Sequence, residues 1–401
     1  MPTTVSSGDR RPLVGIVGGG QLARMTADAA APLEVDVAVL ALPGDDATAG
    51  HVRDRTVAAD LDRSALTAFA TRCDVVTFDH EKVAPELIAD LEALGHVVRP
   101  GARALRLGSD KAHQRRVLAA HGLPVPPFVV VEDPRAARPA ADRLGGFPLV
   151  AKQARGGYDG RGVRRVEGPD ELDELLGPWL DVPGSAVVLE PALHLERELA
   201  VVVARRPGGD AVAYPVVETV QDDEARCREV VAPAPVPPTL AAAAQALAVE
   251  VGEVADAVGL LAVELFVVDG ALLVNELAAR PHNTGHLTIE ACATSQFTNH
   301  LLAVLDRPLG PTALRAANAV MVNVVGAGDH DLGAADRAVV TSAADAGVHV
   351  HLYGKRARVG RKLGHVTAVG RDLDATRRRA AAAAEHLRRR TLDSAIRGAA
   401  S

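Results

Sequence analysis

Apolar runs alternate with amphipathic stretches through the first hundred residues. LVGIV (13–17) reads as a buried strand and GGGQLARMTADAA (18–30) opens a helix. VDVAVLAL (35–42) and DVVTFDHEKV (74–83) read as further strands, and PELIADLEALG (85–95) as a second helix. This βαβ alternation predicts a parallel sheet. A helix predicted from Ser109 to His121 leads into GLPVPP (122–127), a breaker cluster that reads as a linker. Short strands follow at VVV (129–131), PLVAK (148–152), GVRRV (162–166) and AVVLE (186–190), with one helix at DELDELLGPWL (170–180). Beyond them come strands ELAVVVA (198–204) and AVAYPVVETV (211–220), then a long alanine-rich helix, TLAAAAQALAVEVGEVADAVG (239–259). Later strands are expected at ANAVMVNVVG (317–326), HVHLYG (349–354) and GHVTAVG (364–370), before a final helix at 374–392.

Between the long helix and those last strands lies Ala262 to His286, AVELFVVDGALLVNELAARPHNTGH. Two β-rich arms around Asp269-Gly270 predict a hairpin. It carries Glu264 on one arm and Glu276 on the other, and Arg280, His282 and Asn283 follow directly. Two carboxylates held on rigid backbone suit Mg²⁺, which prefers carboxylates together with substrate phosphates. A strict two-residue turn would set Glu264 opposite Asn275 and put Glu276 on the other face. The pair therefore needs a three-residue loop or a bulge to come level. An ordinary hairpin with solvated acids is the alternative on this segment alone.

Three other segments carry chemistry. Gly18-Gly19-Gly20-Gln21-Leu22-Ala23 follows a strand, opens a helix and fits G-x-G-x-x-[GA], a phosphate-holding turn. A nicotinamide enzyme would add an acid at the end of the next strand, but that strand ends Ala41-Leu42-Pro43, with Asp45 and Asp46 late. The turn is then either a tight strand-to-helix connection or a seat for a phosphorylated substrate. Ala154–Gly162 (ARGGYDGRG) places four glycines between two strands, with Lys152 at its entrance. Backbone N–H groups of such a loop can wrap a polyphosphate, although no P-loop Gly-Lys-Ser/Thr is present. Lys355–His365 (KRARVGRKLGH) is a dense basic turn suited to a monophosphate, or to plain solvation.

Composition narrows the picture. The chain has 401 residues, enough for two or three domains. Aromatic residues make up 2% and the formal charge is −7, which argues against base stacking and against general attraction to nucleic acid or anionic membrane. Cys73, Cys227 and Cys292 are far apart, in no metal-ligand spacing, and suit small core positions in a reducing compartment. No apolar run has the length of a signal or membrane span, so a cytoplasmic protein is expected. The arginines of the last helix read as a solvated face.

Taken together, GGGQLARM, TFDHE, GGYDGRG, NELAARPHNTGH and GRKLGH occur in one order that resembles the ATP-grasp enzymes, and among them the 5-(carboxyamino)imidazole ribonucleotide synthetases. The match runs from about Val14 to Gly370. The resemblance implies an α/β (α+β) ATP-grasp fold. Residues 1–12 would be a disordered N-terminus, 13–109 a Rossmann-like domain, 110–192 a linker helix and lid, 193–375 the C-terminal ATP-grasp domain, and 376–401 a helical tail.

The implied reaction is ATP-dependent carboxylation of 5-aminoimidazole ribonucleotide by bicarbonate through carboxyphosphate. Another carboxylate-amine ligase, such as a formate-using glycinamide ribonucleotide transformylase, is the alternative, and a nicotinamide oxidoreductase a remote one. By position, Lys111, Lys152, Gly156, Gly157, Gly160 and Asn275 fall to ATP, with Glu190 at the adenine edge and Glu198 at the ribose. Glu264 and Glu276 are implied ligands of two Mg²⁺ ions, with Mn²⁺ an alternative. Arg280 would hold bicarbonate or phosphate, and Tyr158, Asp159 and Arg161 would close over the intermediate. His282 and Asn283 would orient the amine. Gln21 and Glu81 would meet the ribose of the substrate nucleotide, and Lys355, Arg361 and Lys362 its phosphate. Ala278 departs from the asparagine common in ATP-grasp sites. A homodimer is implied, with neither nucleic-acid nor membrane partner.

Overall fold

The computed structural model describes residues 10–156, 162–222, 226–343 and 347–392. They form three sheets. The first is parallel and four-stranded, in the order Asp54–Val57, Asp36–Ala41, Leu13–Val17, Val75–Phe78. Its central strands are buried on both faces, with Val14, Ile16, Val17, Val39 and Leu40 at 2% exposure or less, as a helix-covered parallel sheet requires.

The second sheet is antiparallel and small: Val129–Val131, Val187–Pro191, Leu149–Gln153, Val163–Val166. It has its own core around Leu149, Val166, Leu172, Leu176 and Leu189. The helix expected across 109–121 is broken at Asp110, which caps the segment Lys111–Ala120 by accepting from His113 N–H at 2.9 Å.

The third sheet holds nine strands. Its order runs from Ala271–Ala278 through Gly259–Val268, Arg197–Arg205, Val217–Gln221, Cys227–Ala232, Asn318–Val325 and Lys362–Gly370 to Val348–Leu352. Ala211–Ala213 pairs off the strand Arg197–Arg205, so the single run expected over 211–220 is two strands parted at Tyr214–Val216. Helix Pro238–Ala255 lays Ala244, Leu247, Ala248, Val251 and Ala255 against this sheet. At the far end, helix Leu373–Arg390 starts at Asp372, which accepts from Ala375 N–H at 2.7 Å, and buries Thr376, Ala380, Ala384 and Leu387.

That last helix corrects one expectation: its arginines are not all a solvated face. Arg377 Nε donates to buried Glu229 at 2.7 Å, and Arg377 and Arg388 border the central cleft described below. Among the described residues no helix is long and apolar enough to cross a membrane.

Candidate active site

The hairpin turn is the two-residue kind. Asp269 and Gly270 both have positive φ, +48° and +72°, and Val268 pairs with Ala271. The register then slips once. Leu265 faces Val274, but Glu264 faces Glu276, leaving Asn275 as the extra residue of a β-bulge. Of the two devices the sequence allows, a longer loop and a bulge, the fold uses the bulge, and both acids come to one face. Ala278, opposite Ala262, adds only an apolar wall.

Cations converge on that pair. Lys111 Nζ donates to Glu276 Oε1 at 2.7 Å. Lys152 Nζ donates to Asn275 Oδ1 at 3.0 Å and meets Glu190 Oε2 at 2.8 Å, over the ring of Phe266. Burial, then the charges of Glu276 and Glu198, hold the Glu264 carboxyl well above the ordinary carboxylate range. This is the donor set that a divalent cation fits: crowded oxygen ligands whose mutual repulsion the ion would relieve. Among the described residues no group of three or more His, Cys, Asp or Glu forms a complete cage, so the remaining ligands would have to come from phosphates and water.

Glu190, expected at the adenine edge, lines the cleft and is held by two cations. Its side chain is 3% exposed, with Oε1 accepting from Arg115 Nε at 2.6 Å and Oε2 meeting Lys152. Burial alone would raise Glu190, but Lys152 and Arg115 outweigh it and hold the carboxyl below its ordinary range. Lys152 is lowered by burial, with Glu190 opposing. The adjacent residues Pro191, Ala192 and Leu193 also border the cleft. Arg115 was not read from the sequence; 75 positions separate it from Glu190 and nothing local marks the pairing. Glu198, raised by burial, accepts from Gln221 Nε2 at 2.9 Å.

At the other end, Arg280 and Glu81 meet each other, Nε donating to Oε2 at 2.7 Å, where separate contacts with bicarbonate and ribose were expected. Burial would lower the Arg280 guanidinium, and Glu81, with the charges of Asp79 and Glu276, more than reverses it. Glu81 Oε1 is buried with no hydrogen-bond partner among the described residues. Lys355 Nζ donates to Gln21 Oε1, and Arg361 Nη1 lies 3.8 Å from Asp46 Oδ2. His282 Nε2 is 3.7 Å from Glu264 Oε1, while its Nδ1 sits 3.0 Å from Thr284 Oγ1. Asn283 faces the thiol of Cys227, which burial pushes up to about 12. Burial also pushes Cys73 up to about 11 and Cys292 up to about 12, so none is a thiolate nucleophile at neutral pH.

Two amides of the glycine-rich turn are already taken by protein carboxylates. Asp79 Oδ2 accepts from Ala23 N–H at 3.3 Å and Asp45 Oδ2 from Gly19 N–H at 3.1 Å. A Cβ on Gly20 would stand 2.6 Å from Asp79 Oδ2. Two protein carboxylates crowd the position where a dinucleotide would bring its negatively charged pyrophosphate.

All the expected site residues that are described border one open cleft of about 2740 Å³, Gln21 and Lys355 at one end and Lys152 and Glu190 at the other. A single small-molecule site takes roughly 300–1,000 Å³, so the cleft has room for more than one substrate. Gly157, Tyr158, Asp159, Gly160 and Arg161 lie outside the described residues.

These features define an ATP-grasp architecture. An ATP-grasp domain profile matches residues 116–297, a ribonucleotide synthetase preATP-grasp domain 12–109, and a phosphoribosylaminoimidazole carboxylase C-terminal domain 319–379. The N5-carboxyaminoimidazole ribonucleotide synthase of Mycobacterium tuberculosis is 45% identical over 379 residues, covering 94% of this chain and 88% of its own. The chain belongs to the N5-carboxyaminoimidazole ribonucleotide synthase family. The crystal structure of the Thermus thermophilus synthetase superposes with a TM-score of 0.81 at 35% identity, over 95% of this chain and 99% of that one. The Aspergillus clavatus enzyme, in complex with ADP and 5-aminoimidazole ribonucleotide, gives 0.82 at 31%, over 95% and 99%.

Proposed function

We propose that this protein carboxylates 5-aminoimidazole ribonucleotide with bicarbonate at the expense of ATP, giving N5-carboxyaminoimidazole ribonucleotide, ADP and phosphate. The observation that carries the reading is the Asn275 bulge, which sets Glu264 level with Glu276 in a cleft lined by lysines at one end and a basic turn at the other. Bicarbonate is a poor electrophile. An oxygen of bicarbonate attacks the γ-phosphorus, the bond to the β-phosphate oxygen breaks, and ADP leaves. The exocyclic amine then takes the carboxyl carbon of carboxyphosphate, directly or as released CO₂, while phosphate departs and the amine loses a proton. Phosphoryl transfer of this kind requires positioning and charge neutralisation rather than a nucleophilic side chain.

Glu264 and Glu276 are the residues that would hold one or two Mg²⁺, or Mn²⁺, which supplies charge neutralisation on the transferring phosphoryl group. Lys111 and Lys152 hold ATP phosphates together with the glycines Gly156, Gly157 and Gly160. Glu198 takes the ribose, and the Pro191–Leu193 backbone takes the adenine. Arg280 orients bicarbonate while paired to Glu81, and His282 and Asn283 orient the amine. Gln21 and Glu81 meet the substrate ribose, and Lys355, Arg361 and Lys362 its phosphate. Tyr158, Asp159 and Arg161 shield carboxyphosphate from water. The protein works in the cytoplasm as a homodimer, the latter testable by sedimentation.

The deciding assay is phosphate release from MgATP with and without bicarbonate and the aminoimidazole ribonucleotide. Stimulation requiring both supports the reading. Release indifferent to the ribonucleotide, or driven by formate and glycinamide ribonucleotide, overturns it.

A further inference from the structure

The segment from His282 to His286 borders the cleft, but the residue that holds it lies behind. Gln296 opens helix Gln296–Val304, is wholly buried, and uses every polar atom of its side-chain amide. Oε1 accepts from His282 N–H at 2.9 Å, and Nε2 donates to His282 C=O at 2.8 Å and to His286 Nδ1 at 2.9 Å. The backbone of His282 offers one donor and one acceptor to this amide, so the amide cannot be turned over without losing both bonds. His286 Nδ1 therefore faces an N–H and acts as an acceptor, which puts the ring proton on Nε2.

The surroundings are built to this amide. A Cβ on Gly285 would stand 2.6 Å from Gln296 Cδ, so the turn must carry glycine there. Gln296 N–H donates to Thr288 Oγ1 at 2.8 Å, and that hydroxyl donates to Gly285 C=O at 2.6 Å. The His286 ring packs against Phe297, His365 and Tyr353, with centroids 5.7, 5.1 and 6.4 Å away, and still reaches the cleft wall. Burial, then the charge of His282, keeps this imidazole neutral, well below the ordinary histidine range.

We propose that Gln296 is a positioning residue of the active site: it fixes the His282–His286 loop and locks His286 as the Nε2–H tautomer, presenting a neutral donor to an oxyanion of the acid substrate. The identity of that oxyanion, bicarbonate or the carboxyl group derived from it, rests on the carboxylation reading above. The tautomer does not.

The test uses full-length protein labelled with ¹⁵N-histidine, in which long-range proton–nitrogen spectra distinguish the two tautomers. The His286 signals are identified by their loss in His286→Gln. The expected result is a protonated Nε2 and an unprotonated Nδ1 in the unsubstituted protein. Gln296→Glu replaces the donor by an acceptor and is expected to move the proton to Nδ1. With MgATP, bicarbonate and aminoimidazole ribonucleotide, its kcat should fall about tenfold or more, with the KM for ATP unchanged. A proton on Nδ1 in the unsubstituted protein overturns the proposal without any variant needing to fold. A shifted proton with unchanged kcat also overturns it. If the unsubstituted protein shows no bicarbonate-dependent turnover, the carboxylation reading fails, and the spectra alone decide the tautomer.

Discussion

The glycine-rich turn at Gly18–Gly20 and the hairpin at Glu264–Glu276 reverse each other's promise. The turn has the sequence of a phosphate-binding loop, yet Asp45 and Asp79 take two of its amides, those of Gly19 and Ala23. The hairpin has the wrong spacing for its two acids, yet the Asn275 bulge brings them level. In the first, a carboxylate 56 positions downstream overrides a good local motif. In the second, one unpaired residue rescues a poor one. A motif states what its backbone offers, and tertiary neighbours decide what takes the offer.

That contrast can be broken most directly at the hairpin. Glu276→Gln keeps the shape and removes the charge; the loss of several kcal/mol of metal-dependent stabilisation corresponds to roughly a thousandfold drop in kcat. Steady-state kinetics should show this while the melting temperature holds. An unchanged kcat would return the acids to the status of solvated strand residues.

Next in size is Glu190→Ala, which strands Lys152 and Arg115 as buried cations. Breaking such a pair costs about 3–5 kcal/mol, to be read from urea unfolding. A much smaller loss would mean that the lysine finds another partner and that the hairpin end of the cleft tolerates rearrangement.

Asp79→Ala removes the carboxylate from the helix N-terminus and should cost about 1–2 kcal/mol of stability. The KM for ATP should not move. Tighter nucleotide binding in this variant would show that the turn is a phosphate seat held shut by its own acid.

The smallest effect is expected at Gly270→Ala. Its φ of +72° is strained for alanine, at a cost of about 1 kcal/mol. Melting should fall slightly with kcat preserved, since the bulge rather than the turn sets the acids' register. A large loss of kcat would move that control to the turn.

Sequence reading served well where information is local. The Asp269-Gly270 turn, the alanine-rich helix and the strand–helix alternation all follow from neighbouring residues. A side chain's remote partner is not legible in this way. Arg280 and Glu81 lie 199 positions apart, so nothing in the sequence marks that they bind each other beside the cleft. Arg115 and Gln221, which hold Glu190 and Glu198, carried no signal at all, because helix Lys111–Ala120 and strand Val217–Gln221 look ordinary in isolation. The strand Cys227–Ala232 and helix Gln296–Val304 were also passed over, the first short and punctuated by charges, the second without a strong amphipathic period.

The nine-stranded sheet has a consequence for exchanging parts between relatives. Strand Cys227–Ala232 pairs with Asn318–Val325 through four consecutive residue pairs, so the hairpin acids and the basic turn belong to one hydrogen-bonded plate. A chimera that swaps the chain after about residue 317 must rebuild that ladder across a foreign seam. The parallel sheet of residues 13–78 shares no strand pairing with it among the described residues. Val76 also exchanges backbone hydrogen bonds with Val97 and Arg99, so a transplant carried through Arg99 keeps these ladders whole, and side-chain contacts such as Gln21 with Lys355 must be matched anew.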